Sequence, residues 1–320
     1  MGDWVRNLAG LILPRSGGGN DQRPVKQPAR VIPGGGVASE LCMLPVEWDG
    51  LDAAAADERD TWKRDVRVAQ IKADGINAVA LPGMIVGGRD GGPLDCALQA
   101  LPALSRLQAT YGEPMAFFGE YVAHDGFNAT LAEHRKGVGD GAFWLYDAMP
   151  HAAWMSGRPY EVSTLDRLQR LKHCFLATEP GLFLGMLDFW LLDAGEMRAK
   201  AREVWAAGFE GLVSKDRAAG YVRGRSPAWR KVKERVQASC PVVDTIEKDG
   251  RLHSIIVRGP SIGGVSKPLR VTGGWSAGDA ECIRIGMSET GAGRDVLVEF
   301  GLTTGTTRSI RSPKFAGIVA

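Results

Sequence analysis

The chain has 320 residues, enough for two domains that each bury a core, and its 44% hydrophobic and 24% charged content is that of a soluble globular protein. A formal net charge of +2 excludes nucleic-acid binding through a global excess of basic charge, so any such partner must be met by a local patch. The five cysteines (Cys42, Cys96, Cys174, Cys240 and Cys282) are odd in number and far apart, which excludes a CxxC zinc site and a disulfide framework and fits a reducing compartment.

The apolar run from Leu8 to Leu13 is short, is closed by Pro14 and lacks a small-residue cleavage site, so it does not read as a signal peptide. No stretch reaches the length of a transmembrane helix, and a cytoplasmic location is expected. Residues 1–45 are rich in Gly and Pro, with Gly17-Gly18-Gly19 and Pro33-Gly34-Gly35-Gly36 among them, and read as a flexible arm. Residues 46–238 mix α and β. Helices are predicted over 51–63, 164–173 and 197–207, and strands over 67–71, 78–81, 116–118, 142–146 and 211–213. Neither a P-loop nor a Rossmann glycine pattern is present. Residues 239–320 carry short β-type runs broken by Asp249-Gly250, Gly263-Gly264 and Gly273-Gly274, which predicts a small all-β barrel or sandwich.

Chemistry concentrates first at Gln70-Ile71-Lys72-Ala73-Asp74-Gly75. Asp74-Gly75 between two strand-like runs reads as a turn, and by itself a hairpin explains it. The second reading makes Lys72, at the end of a strand and facing a cleft, a nucleophile. An amine attacks only when uncharged, so this requires a dry pocket or a nearby cation to lower its pKa.

Four later segments supply residue types that such a site needs. Phe118-Gly119-Glu120-Tyr121 places a carboxylate at the end of an apolar run, apt for a ribose hydroxyl or a divalent metal. Phe143-Trp144-Leu145-Tyr146-Asp147 is an aromatic strand whose Tyr146 could stack on a base, core packing being the other use of those rings. Glu210-Gly211-Leu212-Val213-Ser214-Lys215 sets Glu210 and Lys215 around an apolar strand. From Tyr221 to Arg235 the chain is basic against a single acid, Glu234, and Trp229-Arg230-Lys231-Val232-Lys233 alternates so that Lys231 and Lys233 share one face, either to neutralise a phosphate or as a solvated basic strand.

The order Lys-x-Asp-Gly, Gly-Glu, aromatic-Asp, Glu-Gly-Leu-Val-x-Lys, Trp-x-Lys-x-Lys, spanning Gln70 to Lys233, resembles the motif series of the ATP-dependent DNA ligases, of the minimal phage and bacterial type. These are covalent nucleotidyltransferases, as are RNA ligases and mRNA capping guanylyltransferases. The resemblance implies an α+β fold: an ATP-grasp-like adenylation (nucleotidyltransferase) domain of antiparallel sheets and helices at 46–238, then an OB-fold β-barrel at 239–320. It implies Lys72 as the catalytic nucleophile that takes AMP from ATP. Gln70 and the Ile71 backbone would meet the adenine edge, Tyr146 would stack on the ring, and Glu120 would hold the ribose. Glu120 and Glu210 would bind Mg2+ (or Mn2+), and Lys231 and Lys233 would contact the α-phosphate.

Arg89 lies where the family reads the nucleotide or the 5′-phosphate. Arg225 is a further phosphate candidate. The expected partner is nicked double-stranded DNA, clamped by a monomer mostly through phosphate contacts from the Arg223–Arg235 run, from basic residues of the barrel (Arg258, Lys267, Arg270, Arg308, Arg311) and from Arg23, Lys26 and Arg30 of the arm.

Three departures from the pattern stand out. Asn77 occupies the position of an arginine, leaving a neutral hydrogen bond in place of a charged contact. Gln70 replaces a glutamate that reads the adenine amino group. The sequence stops at Ala320 without the terminal Arg-x-Asp-Lys motif that orients pyrophosphate, with Arg311 or Lys314 as substitutes. An RNA ligase, a capping-type guanylyltransferase, and an inactive nucleic-acid-binding relative are the alternatives.

Overall fold

The computed structural model of the chain describes residues 41–47, 65–87, 91–262, 266–290, 295–302 and 310–319. The chain divides into two compact units, Met1–Val232 and Lys233–Ala320. In chain order the first holds β1 (Met43–Glu47), β2 (Arg67–Ile71), β3 (Ile76–Leu81), β4 (Met84–Gly87) and α1 (Leu101–Tyr111). Next come β5 (Met115–Val122), α2 (Phe127–Lys136), β6 (Ala142–Pro150), α3 (His151–Ser156) and α4 (Thr164–Leu176). It continues with β7 (Leu184–Met186), β8 (Phe189–Leu192), α5 (Ala194–Ala206), β9 (Gly211–Lys215) and β10 (Gly224–Lys233), which ends at the division.

Two five-stranded sheets form the first unit, in the orders β1-β10-β9-β2-β8 and β4-β3-β5-β6-β7. Alternation along each strand decides which layer a side chain enters. Ala69, Ile71, Leu212 and Val232 pack under α5, whereas Val79, Ala116, Phe118, Tyr146 and Trp229 meet between the sheets. Ala78, Ala80, Phe117 and Leu145 face the helical layer with Leu104, Leu107 and Leu171. The helices start where their caps require: Ser163 accepts the Asp166 N–H at α4, and Asp193 with Glu196 closes a reciprocal capping box at α5.

The second unit contains β11 (Val236–Lys248), β12 (Arg251–Arg258), β13 (Pro268–Thr272), α6 (Ala277–Thr290), β14 (Asp295–Leu302) and β15 (Ile310–Ile318). Its sheet runs β13-β12-β11-β14-β15 around a core of Cys240, Val242, Ile255, Val257, Ile283, Val296 and Phe300. Asp249 and Gly250, both at positive φ (51° and 70°), make the tight turn between β11 and β12.

Several expectations change. Leu41, Cys42 and Met43 are buried between the sheets and β1 pairs in parallel with β10, so the ordered core begins inside the stretch 1–45 read as an arm. The sheets are not wholly antiparallel, because β6 and β7 also run parallel. The second unit begins before residue 239, since β11 is already paired with β14 from Val236 onward. It is not all-β, because α6 packs Ala280 and Ile283 onto its sheet. Residues 51–63, Arg89, Arg308, Gly263-Gly264 and the basic residues of the arm lie outside the described residues. Among the described residues no helix is long and apolar enough to cross a membrane.

Candidate active site

Asp74-Gly75 does not close a hairpin. β2 pairs with β8 and β9 in one sheet and β3 pairs with β4 and β5 in the other, so Lys72 to Gly75 cross from one sheet to the next. Local sequence cannot distinguish a turn within a sheet from a crossing between sheets. Gly75 is required by close approach: a Cβ there would run into the Tyr121 carbonyl oxygen and the Val122 side chain of β5. That approach lets the Gly75 N–H donate to Glu120 Oε1 at 2.8 Å.

Lys72 sits at the start of this crossing, its backbone N–H on the Gly211 carbonyl at 2.8 Å. Its Nζ donates to Glu210 Oε2 at 2.6 Å, with the lysine side chain 19% exposed and the glutamate 6%. Burial pulls the Lys72 amine down, but Glu120 and Glu210 outweigh it and hold the amine above the ordinary lysine value. The expected lowering is therefore absent in the free protein, because the pocket that dries the amine also presents two carboxylates. Glu120 is pushed up to about 7 by burial, against the pull of Lys72 and the Gly75 N–H.

Gln70, 1% exposed, donates through Nε2 to the Leu187 carbonyl at 3.1 Å, while its Oε1 is buried without a partner. Asn77 lies opposite Glu120 on β5 and donates through Nδ2 to the Tyr146 hydroxyl at 2.7 Å, leaving its own Oδ1 buried and unpartnered. Tyr146 is buried, and its ring meets Trp229 edge-on at 5.9 Å. Ile71 is paired with Leu212, its side chain in the layer under α5.

Lys231 and Lys233 are half-buried, two residues apart on the β10 face that carries Trp229, in the strand beside β9. Arg223 lies over the Trp154 ring at 5.1 Å, and Arg225 is exposed at the start of β10. Arg311 and Lys314 belong to β15 of the second unit, opposite Gly301 and Glu299 of β14.

Sequence reasoning assigned no role to three groups around this cleft. The Asp147 carboxylate takes two 2.9 Å bonds from Arg167 Nε and Nη2, fully buried, fastening α4 to β6. Lys215 Nζ donates to the Tyr146 carbonyl at 2.8 Å and lies 3.9 Å from the Trp229 ring centroid. Strand alternation from Val213 was the available signal that Lys215 faces inward. Nothing in the sequence pairs Asp147 with Arg167, twenty residues away on a helix.

The donor set can be tested against the implied ligands. Magnesium is commonly held by one or two carboxylates together with substrate phosphates, and Glu120 with Glu210 fits that pattern. Among the described residues no group of three or more His, Cys, Asp and Glu forms a metal cage of its own. The orphan acceptor on Gln70 suits a base that presents an amine.

The sequence matches no protein-family model and no curated protein. The fold, in contrast, is shared with solved structures, and the structural neighbours include DNA ligases. A structure described as Pmar-Lig_Pre. superposes with a TM-score of 0.71 at 18% identity, covering 87% of this chain and 67% of that one. The related Pmar-Lig_PreS3 gives 0.68 at 17% identity over the same shares. A third, from a structure-function analysis of Lig E DNA ligases and DNA binding with a minimal scaffold, gives 0.61 at 19% identity over 87% of this chain and 98% of that one. The likeness is one of fold: mixed sheets with helices, followed by a smaller sheet-rich unit.

Proposed function

We propose that this chain is an ATP-dependent DNA ligase that seals nicks in duplex DNA, with the first unit as nucleotidyltransferase domain and the second as OB-fold. The observation that carries the reading is Lys72, partly exposed at a crossing between two sheets, with Glu210 at 2.6 Å and the charge of Glu120 near enough to raise the pKa of the same amine. The fold shared with Lig E DNA ligases supports it.

In the first step the Lys72 amine, having lost a proton, attacks the α-phosphorus of ATP. A P–N bond forms, the bond to the bridging oxygen breaks, and pyrophosphate leaves with its electron pair. Gln70 Oε1 accepts from the adenine amine, where guanine would offer a second acceptor and leave the buried oxygen unsatisfied. Tyr146 lines the base, and Lys231 and Lys233 offset charge gathering on the phosphate. Glu120 and Glu210 would hold a magnesium ion, which would supply positive charge to the triphosphate. AMP then passes to the 5′-phosphate of a nick, and the 3′-hydroxyl displaces it. Arg223, Arg225, Arg311 and Lys314 contribute phosphate contacts, so binding is tolerant of sequence and strongly salt-dependent.

The test is incubation with α-labelled ATP and magnesium, then a search for an acid-labile, alkali-stable protein–AMP adduct. Wild type is expected to form it and Lys72→Ala to lose it; an adduct in the variant would reject the mechanism. GTP in place of ATP, and nicked RNA in place of nicked DNA, separate the guanylyltransferase and RNA-ligase readings.

A further inference from the structure

The ammonium group of Lys215 is placed in a way that packing alone does not explain. Residue 215 ends β9 on the face that looks between the sheets. Its Nζ donates to the Tyr146 carbonyl at 2.8 Å and lies 3.9 Å from the Trp229 centroid and 5.1 Å from that of Tyr146. Among the described residues no carboxylate forms an ion pair with it, because both oxygens of the adjacent Asp147 are taken by Arg167. A methionine of similar length would fill this volume without burying a charge. What the charge adds is direction: one hydrogen on a carbonyl of β6, and a positive face toward two rings.

We infer that Lys215 is a positioning residue of the nucleotide cleft, its ammonium clamping β6, which carries Tyr146, to β10, which carries the phosphate lysines, so that affinity for ATP follows its charge. The inference rests on the reading of the cleft as an ATP site and goes beyond it by adding a residue that touches no part of the nucleotide. β6 belongs to one sheet and β9 and β10 to the other, so this one side chain links the two walls. With the proton gone, the carbonyl bond remains but the attraction to both rings is lost, and the link from β6 to β10 weakens.

The groups facing Lys215 are Tyr146 and Asp147 of β6 and Arg167 of α4, with β10 presenting the non-titrating Trp229 and Tyr221 lying beyond it. Burial lowers the Lys215 amine to about 7, against the upward pull of Asp147, so the clamp loses its charge within an accessible range.

The experiment measures Lys72–AMP formation against ATP concentration from about pH 6 to 9, for wild type, Lys215→Met and Lys215→Arg, with thermal melting to confirm folding. In wild type the half-saturating ATP concentration is expected to rise as pH climbs through about 7. Lys215→Met should bind ATP about tenfold more weakly at the acid end with no break near neutrality, its maximal rate little changed. Lys215→Arg stays charged and should keep tight binding at every pH.

Wild-type affinity in Lys215→Met at the acid end would overturn the inference. So would a neutral break that persists in both variants, which would belong to Glu120. If Lys215→Met does not fold, the presence or absence of the break in Lys215→Arg decides alone. A wild type that forms no adduct with any nucleotide would instead reject the proposed function, and this inference with it.

Discussion

Nζ of Lys72 lies 2.6 Å from Oε2 of Glu210, a separation that makes the carboxylate the guardian of the charged amine. The free protein therefore keeps its proposed nucleophile switched off. A magnesium ion held by Glu120 and Glu210 would offset their pull on the ammonium and favour loss of its proton.

The Lys72 pKa should thus fall when Glu210 is neutralised. Glu210→Gln is expected to shift the pH dependence of Lys72 labelling by an amine reagent, without nucleotide, toward lower pH. The sign follows from the raised pKa: Glu210 and Glu120 favour the ammonium form. Mass spectrometry of the labelled peptide reads it, and an unmoved or upward-shifted profile would contradict the assignment.

Gly75→Ala should destabilise the first unit and impair adenylylation together. The added methyl must displace the Tyr121 backbone and pull the Gly75 N–H from Glu120. A loss of about 1–3 kcal/mol in denaturant unfolding is expected. Wild-type stability would show that the crossing is less tightly packed than described.

The Asp147–Arg167 pair gives a third test. Both partners are buried, so removing either leaves an uncompensated charge, and Asp147→Ala should cost about 3–5 kcal/mol. Replacing both with apolar residues should cost less than the sum. A double-mutant cycle by chemical denaturation measures this, and strict additivity would deny the coupling.

Two buried groups predict opposite slopes of stability on either side of neutrality. Glu120, raised from 4.5 to about 7, binds more protons folded than unfolded in that window, so its contribution falls as pH rises from 4.5 to 7. Lys215, lowered from 10.5 to about 7, binds fewer protons folded, so its contribution grows from pH 7 to 10.5. Relative to wild type, Glu120→Gln should flatten the acid limb and Lys215→Met the alkaline limb. Unfolding free energies across pH check each limb independently.

Gln70→Leu removes the orphan acceptor and should narrow the preference for ATP over GTP by on the order of tenfold, read from adduct yields with each labelled nucleotide. An unchanged preference would assign base reading elsewhere.

The strands that frame the cleft were legible because alternation and turn residues are local signals: β2, β3, β5, β6 and β9 fall where apolar runs indicated, and α4 and α5 where helical periodicity did. What was not legible depends on partners far away in sequence. Nothing near Asp74-Gly75 tells that β2 and β3 join different sheets, since that is decided by pairing with Leu212 and Tyr121. Lys215 gains its surroundings from Tyr146, 69 residues earlier. The α6 segment, flanked by Gly273-Gly274 and carrying Gly278 and Gly286, has the composition of turns, and tertiary packing of Ile283 overrides it.

The crossing from β2 to β3 also has a mechanical meaning. Four residues, Lys72 to Gly75, join Ile71 to Ile76, a span of about 17 Å at full extension, while packed sheets stand about 10 Å apart. So short a tether makes this edge the spine of a book whose covers are the two sheets. The spine is stitched to both covers, to one through the Lys72 N–H on Gly211 and to the other through the Gly75 N–H on Glu120, so Lys72 stays at this edge.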